Sequence, residues 1–135
     1  MKELQINIDG ASSGNPGPSG IGVVISSDGK QVRNLSVFIG NTTNNIAEYT
    51  ALIYALQEAL ILKAEVLTIK TDSQLLERQL RGAYKVKNQG LTVLHNQARH
   101  LMAAFKSVII ENIPREENAG ADKLAAEAVK KEVLL

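Results

Sequence analysis

The spacing of apolar residues changes near Asn45, and this change limits the chain to a mixed α/β fold. Before Asn45, three runs with alternating or continuous apolar residues predict strands, and Asp28-Gly29 predicts a tight turn between the second and third. After it, helical and strand patterns alternate. The order β-β-β-α-β-α-α-β-α predicts one mixed sheet, with an antiparallel meander followed by parallel strands. The predicted strands are 4–9, 20–26, 32–39, 66–69 and 108–110, and the predicted helices are 45–60, 73–80, 91–104 and 119–133.

The composition is that of an ordinary globular protein. Its 135 residues suit a single domain, which we expect to span 1–135. There is no cysteine, which excludes disulfides and thiolate chemistry. The sequence has no signal-peptide pattern and no long apolar segment, so we expect a soluble, cytoplasmic protein without a membrane partner. We also expect a monomer. The net charge of +1 requires any nucleic-acid interface to be local.

Four acids stand out, and each has a structural alternative. Asp9 ends the first predicted strand and precedes a glycine-rich run, where an ordinary Asp-Gly turn is equally possible. Asp72 follows a buried strand, but Asp is also a good helix N-cap. Glu48 could form a capping box with Asn45. Asp122 lies in the first turns of the last helix, where its charge favours the helix dipole.

Taken together, the four acids predict a metal site. They lie at strand ends and near helix starts that pack on the same sheet, and converging carboxylates repel each other unless a cation or proton compensates. Oxygen ligands without His or Cys suit Mg²⁺ or Mn²⁺ and not Zn²⁺. Two such ions can activate a water and stabilise the leaving oxygen of a phosphoryl displacement.

The sequence resembles the ribonucleases H of type 1. Four segments carry the resemblance in the family's order and cover nearly the whole chain: I-D-G-A-S-S-G-N-P-G from Ile8, T-T-N-N-I-A-E-Y-T-A-L from Thr42, T-D-S-Q from Thr71, and N-A-G-A-D-K-L-A from Asn118. The resemblance implies a mixed five-stranded sheet flanked by helices. It further implies hydrolysis of the RNA strand of RNA–DNA hybrids, leaving 5′-phosphate and 3′-hydroxyl ends. Two Mg²⁺ ions would be bound by Asp9, Glu48, Asp72 and Asp122.

The resemblance also implies a set of substrate contacts. The family recognises the ribose 2′-hydroxyl, a donor and acceptor that distinguishes RNA from DNA, across the minor groove. The matching residues here are Ser12, Gly14, Asn15, Asn44, Asn45 and Gln74. Thr43 matches a contact to a phosphate of the DNA strand. Helix capping is the alternative for Asn44 and Asn45.

The chain departs from some members of the family in two places. It has no tryptophan and no basic protrusion after the third acid, although Arg78, Arg81, Lys85 and Lys87 surround Tyr84 and could follow a nucleic-acid backbone. The loop before Asp122 has no histidine for product release, and Arg115, Glu116, Glu117 or Asn118 could replace it. Two alternative functions remain open, a weak or inactive hybrid-binding module of the same fold and another class of phosphoryl-transfer enzyme.

Overall fold

The protein folds as a five-stranded mixed sheet with helices on both faces. The computed structural model describes residues 3–134. The strand order is β3-β2-β1-β4-β5, with β1, β2 and β3 antiparallel and β1, β4 and β5 parallel. The strands are β1 (Glu3–Ser12), β2 (Gly17–Ser27), β3 (Lys30–Thr42), β4 (Val66–Thr71) and β5 (Ser107–Asn112). The helices are α1 (Asn44–Ile61), α2 (Gln74–Arg81), α3 (Gln89–Met102) and α4 (Ala119–Leu134), with a 3-10 turn at Arg115–Glu117. The predicted order of elements and the mixed sheet are confirmed.

The alternation of β1 divides its side chains between two faces of the sheet. Leu4, Ile6 and Ile8 are at most 1% exposed and form the core with α1, which packs on β1 and β2. The alternate positions, including Asn7, face α4, which packs on β1, β2 and β3. Helix α3 packs on α1. Within residues 3–134, no helix combines the length and apolarity needed to span a bilayer.

The Asp28-Gly29 turn is confirmed. Ser27 pairs with Lys30, so the two turn residues form the whole connection between β2 and β3. Asp28 has φ +52° and Gly29 has φ +78°, the left-handed pair that a type I′ turn requires and that Asp-Gly adopts readily.

The prediction that the first strand ends at Asp9 is wrong. Pairing between β1 and β2 continues from Asp9↔Gly22 to Ser12↔Ser19, so only a four-residue turn separates the two strands. Apolar alternation ends at Asp9 because burial changes there, whereas the backbone pairing continues. Gly20 and Gly22 therefore lie inside β2 and not in a ligand-binding loop. Instead, they face α4: a Cβ on Gly22 would lie 2.0 Å from the Ala121 carbonyl oxygen.

Candidate active site

Parallel pairing of β1 with β4 places two of the predicted acids side by side. This pairing ends at Ile8↔Thr71, so Asp9 and Asp72 are the next residues on the two strands, at the same edge of the sheet. The carboxyl ends of parallel strands are where ligands bind in open α/β sheets. Asp72 does not cap α2, because the N-cap is Ser73, whose hydroxyl accepts from the Leu76 amide at 3.2 Å. The capping alternative for Asp72 is therefore wrong.

Helix α1 brings Glu48 to the same edge through a close contact with Gly10. A Cβ on Gly10 would lie 2.3 Å from the Ala47 carbonyl carbon, so only glycine allows α1 to approach this closely. The Gly10 backbone N–H donates a hydrogen bond to Glu48 Oε1. The capping box of Asn45 with Glu48 is also wrong, since Thr43 is the N-cap and its hydroxyl accepts from the Ile46 amide at 3.3 Å.

Asp122 approaches from the opposite face of the sheet, on the first turn of α4. Its amide donates to the Asn118 carbonyl oxygen at 3.1 Å, which begins the helix. Its side chain is 37% exposed and lies 3.6 Å from the guanidinium of Arg115. Its proximity to Asp9 contributes to raising the pKa of that carboxyl. Asp122 is therefore at the open rim of the acid cluster.

The other three acids form the floor of the acid cluster. Asp9, Glu48 and Asp72 each present an oxygen, and these three oxygens lie within 4.8 Å of one another. Asp9 is 5% exposed and Glu48 is 8% exposed. Among the described residues, Asp9 Oδ2 is the one buried side-chain oxygen or nitrogen without a hydrogen-bond partner. The acids open into a cleft of about 490 Å³. It is lined by Asp9, Gly10, Ala11, Ser12, Asn44, Asn45, Glu48, Asp72, Ser73, Arg115 and Asp122.

Burial and mutual repulsion raise the pKa values of Asp9, Glu48 and Asp72. The pKa of Asp9 rises to about 9, mainly because burial disfavours the charged carboxylate, with further repulsion from Glu48 and Asp72. Burial also raises the pKa of Glu48 to about 7, although the hydrogen bond from Gly10 opposes this shift. The pKa of Asp72 is raised by burial, against the lowering effect of a hydrogen bond from Asn118. The cluster therefore requires protons or a cation.

The expected substrate-binding residues lie around this cleft, and three of them are linked by hydrogen bonds. Asn44 Oδ1 accepts from the Ser12 amide at 3.2 Å, and the Asn44 amide donates to Asn15 Oδ1 at 2.9 Å. Neither Asn44 nor Asn45 caps α1, so this alternative is wrong for both. Gly14 forms the turn beside them, with φ +101°. These hydrogen bonds join the β1–β2 hairpin to the start of α1.

Gln74 is set apart from this group. It is exposed in the first turn of α2, outside the residues that line the cleft. With its amide oxygen turned toward Arg78, it accepts hydrogen bonds at 2.7 and 3.0 Å. The guanidinium of Arg78 lies 5.6 Å from the ring centroid of Tyr84, which is 46% exposed.

Two structural contributors were not identified from the sequence. Ser73 caps α2, lines the cleft with Glu48 and lowers the pKa of the Glu48 carboxyl. A serine directly after a strand-end acid is the signal that could have revealed it. Asn118, considered only as a loop residue, is 1% exposed and is held by hydrogen bonds to Asn7 and Ile8, which does not suit a mobile product-release group. Arg115, whose guanidinium lies 3.6 Å from the Asp122 carboxylate, remains a candidate for that role.

The family comparison agrees with this fold. A family model described as reverse transcriptase-like matches residues 7–128. Ribonuclease HI of Halobacterium salinarum is 43% identical over 122 residues, which are 90% of this chain and 61% of that relative. The chain thus spans about three-fifths of the length of this relative.

Solved structures of ribonucleases H match this chain over nearly their full length. The crystal structure of RNase H1 from Halobacterium salinarum has a TM-score of 0.93 and 41% identity, covering 96% of this chain and 98% of that chain. LC11-RNase H1, crystallised in complex with an RNA/DNA hybrid, has a TM-score of 0.92 and 39% identity, covering 96% and 99%. The fold of this chain is therefore the fold of these enzymes.

Proposed function

Because this chain belongs to the ribonuclease H family, type 1, we propose that it hydrolyses the RNA strand of RNA–DNA hybrids by internal cleavage. The observation that supports this most directly is the convergence of Asp9, Glu48 and Asp72 at the floor of an open cleft. No Cys is present and no His lines this cleft, whereas four carboxylates do. The similarity to an enzyme crystallised with an RNA/DNA hybrid supports the substrate class.

The acid cluster fits divalent cations with oxygen ligands. Asp9 Oδ2 is buried without a partner, and the raised pKa values mean that the cluster lacks compensating positive charge. We assign Mg²⁺ as the cofactor, with Mn²⁺ as a possible substitute, because hard carboxylate oxygens suit both ions. Asp9, Glu48, Asp72 and Asp122 would hold two ions. When bound, such a pair supplies an activated water and stabilises the leaving oxygen of a phosphodiester.

The protein's own groups hold the carboxylates in place for this chemistry. The Gly10 N–H fixes one oxygen of Glu48. Arg115 lies beside Asp122 at the exposed rim, where its positive charge can attract a phosphate and assist the departure of the product. Its role as the replacement for the family's loop histidine stays a prediction.

The linked group of Ser12, Asn15 and Asn44 is proposed to contact the RNA strand. Within residues 3–134, the NH₂ group of Asn44 has no hydrogen-bond partner, and the residue is exposed beside the acids. An amide NH₂ can donate to a ribose 2′-hydroxyl, which DNA lacks. Gly14, Asn45 and Gln74 complete the proposed minor-groove contacts, and the Thr43 hydroxyl is proposed to contact a DNA phosphate.

The pair formed by the half-buried Arg78 of α2 and the exposed Tyr84 after this helix extends this surface. A guanidinium beside an exposed ring provides both charge and a flat apolar face, which suit a nucleic-acid backbone and its sugars. This pair explains how a protein with a net charge of only +1 could bind a polyanion.

The proposed function is tested by incubating the protein with labelled RNA–DNA hybrid, RNA duplex and DNA duplex, with Mg²⁺ or Mn²⁺. We expect internal cuts in the RNA strand of the hybrid, with 5′-phosphate and 3′-hydroxyl ends. Binding of the hybrid without cutting at any enzyme excess would support the inactive binding module instead. Cutting only from the ends would indicate an exonuclease.

The pKa shifts predict how pH changes the stability of the metal-free protein. Asp9 and Glu48 keep their protons in the native state at pH values where the unfolded chain has released them. The free energy of unfolding therefore falls as the pH rises from about 4 to about 9. We expect the melting temperature to drop by about 5 °C over this range, as measured by circular dichroism in a chelator.

Mg²⁺ should reverse this loss at the high end of the pH range, because it binds the ionised carboxylates of the native state only. Asp9→Asn is the matched variant, since it removes the most strongly shifted carboxyl. In this variant, the melting temperature of the metal-free protein should change less with pH than in the wild type. A melting temperature that rises with pH across the same interval would contradict the repulsion described for the cluster.

A further inference from the structure

Asn118 is a buried polar residue that touches the positions next to the acids without belonging to the acid cluster. It is 1% exposed and lies between the 3-10 turn and α4. Its Nδ2 donates to the Ile8 carbonyl oxygen at 2.9 Å, and its Oδ1 accepts from Asn7 Nδ2 at 3.0 Å. The side chain thus joins the start of α4 to β1.

These contacts relate Asn118 to two of the acids. Ile8 immediately precedes Asp9 in β1. The Asn118 carbonyl oxygen accepts from the Asp122 amide at 3.1 Å, so the turn that carries Asp122 begins at this residue. Asp9 and Asp122 come from separate elements, and Asn118 joins these elements, to β1 through its side chain and to α4 through its carbonyl oxygen.

We propose that Asn118 is a positioning residue for the catalytic metal site, holding Asp122 in register with Asp9. This inference rests on the proposed function. It requires a side chain that accepts from Asn7 and donates to Ile8, and the amide of asparagine has both kinds of group. An aspartate of the same shape has no donor and adds a negative charge beside Asp72.

The test compares Asn118→Ala and Asn118→Asp with a matched control, Asn112→Ala. Asn112 Nδ2 donates to the Thr71 carbonyl oxygen at 3.2 Å, so it also binds the backbone next to an acid. Unlike Asn118, it is exposed and is not among the residues that line the cleft. The control therefore removes the same kind of bond without the proposed positioning.

Two readouts are needed, the Mg²⁺ dependence of hybrid cleavage and the Mg²⁺ dependence of the melting temperature. For both Asn118 variants, we expect the half-saturating Mg²⁺ concentration to rise about tenfold or more, because groups that orient metal ligands have effects of this size. Metal-saturated kcat should fall, while KM for the hybrid stays within about twofold. Asn112→Ala should match the wild type in both readouts.

A purely structural role gives a different pattern. If both Asn118 variants melt at lower temperature but keep the wild-type half-saturating Mg²⁺ and kcat below that temperature, the proposal is overturned. A wild-type protein that does not cut hybrids would overturn the proposed function instead. The Mg²⁺-induced rise in melting temperature would still test the positioning role in that case.

Discussion

Asp72→Asn is expected to lower kcat for hybrid cleavage by at least about a thousandfold, since losing a ligand of a catalytic metal site removes several kcal/mol of transition-state stabilisation. Asparagine keeps the shape of the side chain but removes its charge, so the substitution is small in volume. Rates are measured on a labelled hybrid with saturating Mg²⁺. Metal-free stability is measured by thermal unfolding in a chelator.

The stability of this variant should be unchanged or slightly raised. Asp72 does not cap α2, and burial raises its pKa, so the ionised carboxylate is unfavourable in the metal-free protein. Asp28→Asn is the matched control, because Asn-Gly forms the same type of hairpin turn as Asp28-Gly29. This control should cut at the wild-type rate. A loss of about 2 kcal/mol or more in Asp72→Asn would mean that Asp72 has a structural role after all.

The convergence of Asp9 and Asp72 could be predicted because it depends on strand order and polarity. Once β1 and β4 are parallel neighbours, residues that follow the paired Ile8 and Thr71 must lie together. Apolar spacing is a reliable guide to this arrangement because β1 and β4 each have a fully buried face. The same spacing did not predict where β1 ends, because backbone pairing continues through Ser12 after the apolar side chains stop.

The glycine-rich run shows a second limit of sequence patterns. Glycine is favoured both in loops and where a helix approaches a strand closely, and the two uses look the same in the sequence. Gly10 and Gly22 prove to be close contacts, with α1 and α4 respectively. Helix caps are similarly ambiguous, since Thr43 and Asn45, or Asp72 and Ser73, are neighbouring good caps and only the backbone angles decide between them.

Gly22→Ala is therefore expected to affect both stability and activity. The new Cβ would lie 2.0 Å from the Ala121 carbonyl oxygen and 2.8 Å from the Ala125 amide nitrogen, and neither backbone group can move without the helix. Such overpacking should lower the free energy of unfolding by about 3 kcal/mol. Because Gly22 pairs with Asp9 across the strands, the displaced α4 also moves Asp122 away from Asp9.

Gly120→Ala is the control that tests whether any methyl group added between α4 and β2 destabilises the protein. Gly120 lies one residue before Ala121 in the same helix, but its new Cβ would meet only Val24 Cγ2, at 3.5 Å, an ordinary contact. Since alanine favours helix more than glycine does, this variant should gain up to about 1 kcal/mol. Urea denaturation measures both changes, and hybrid cleavage below the unfolding transition measures the displacement of Asp122. Wild-type stability in Gly22→Ala would show that α4 accommodates the methyl group, and Asp122 would then be expected to keep its place beside Asp9.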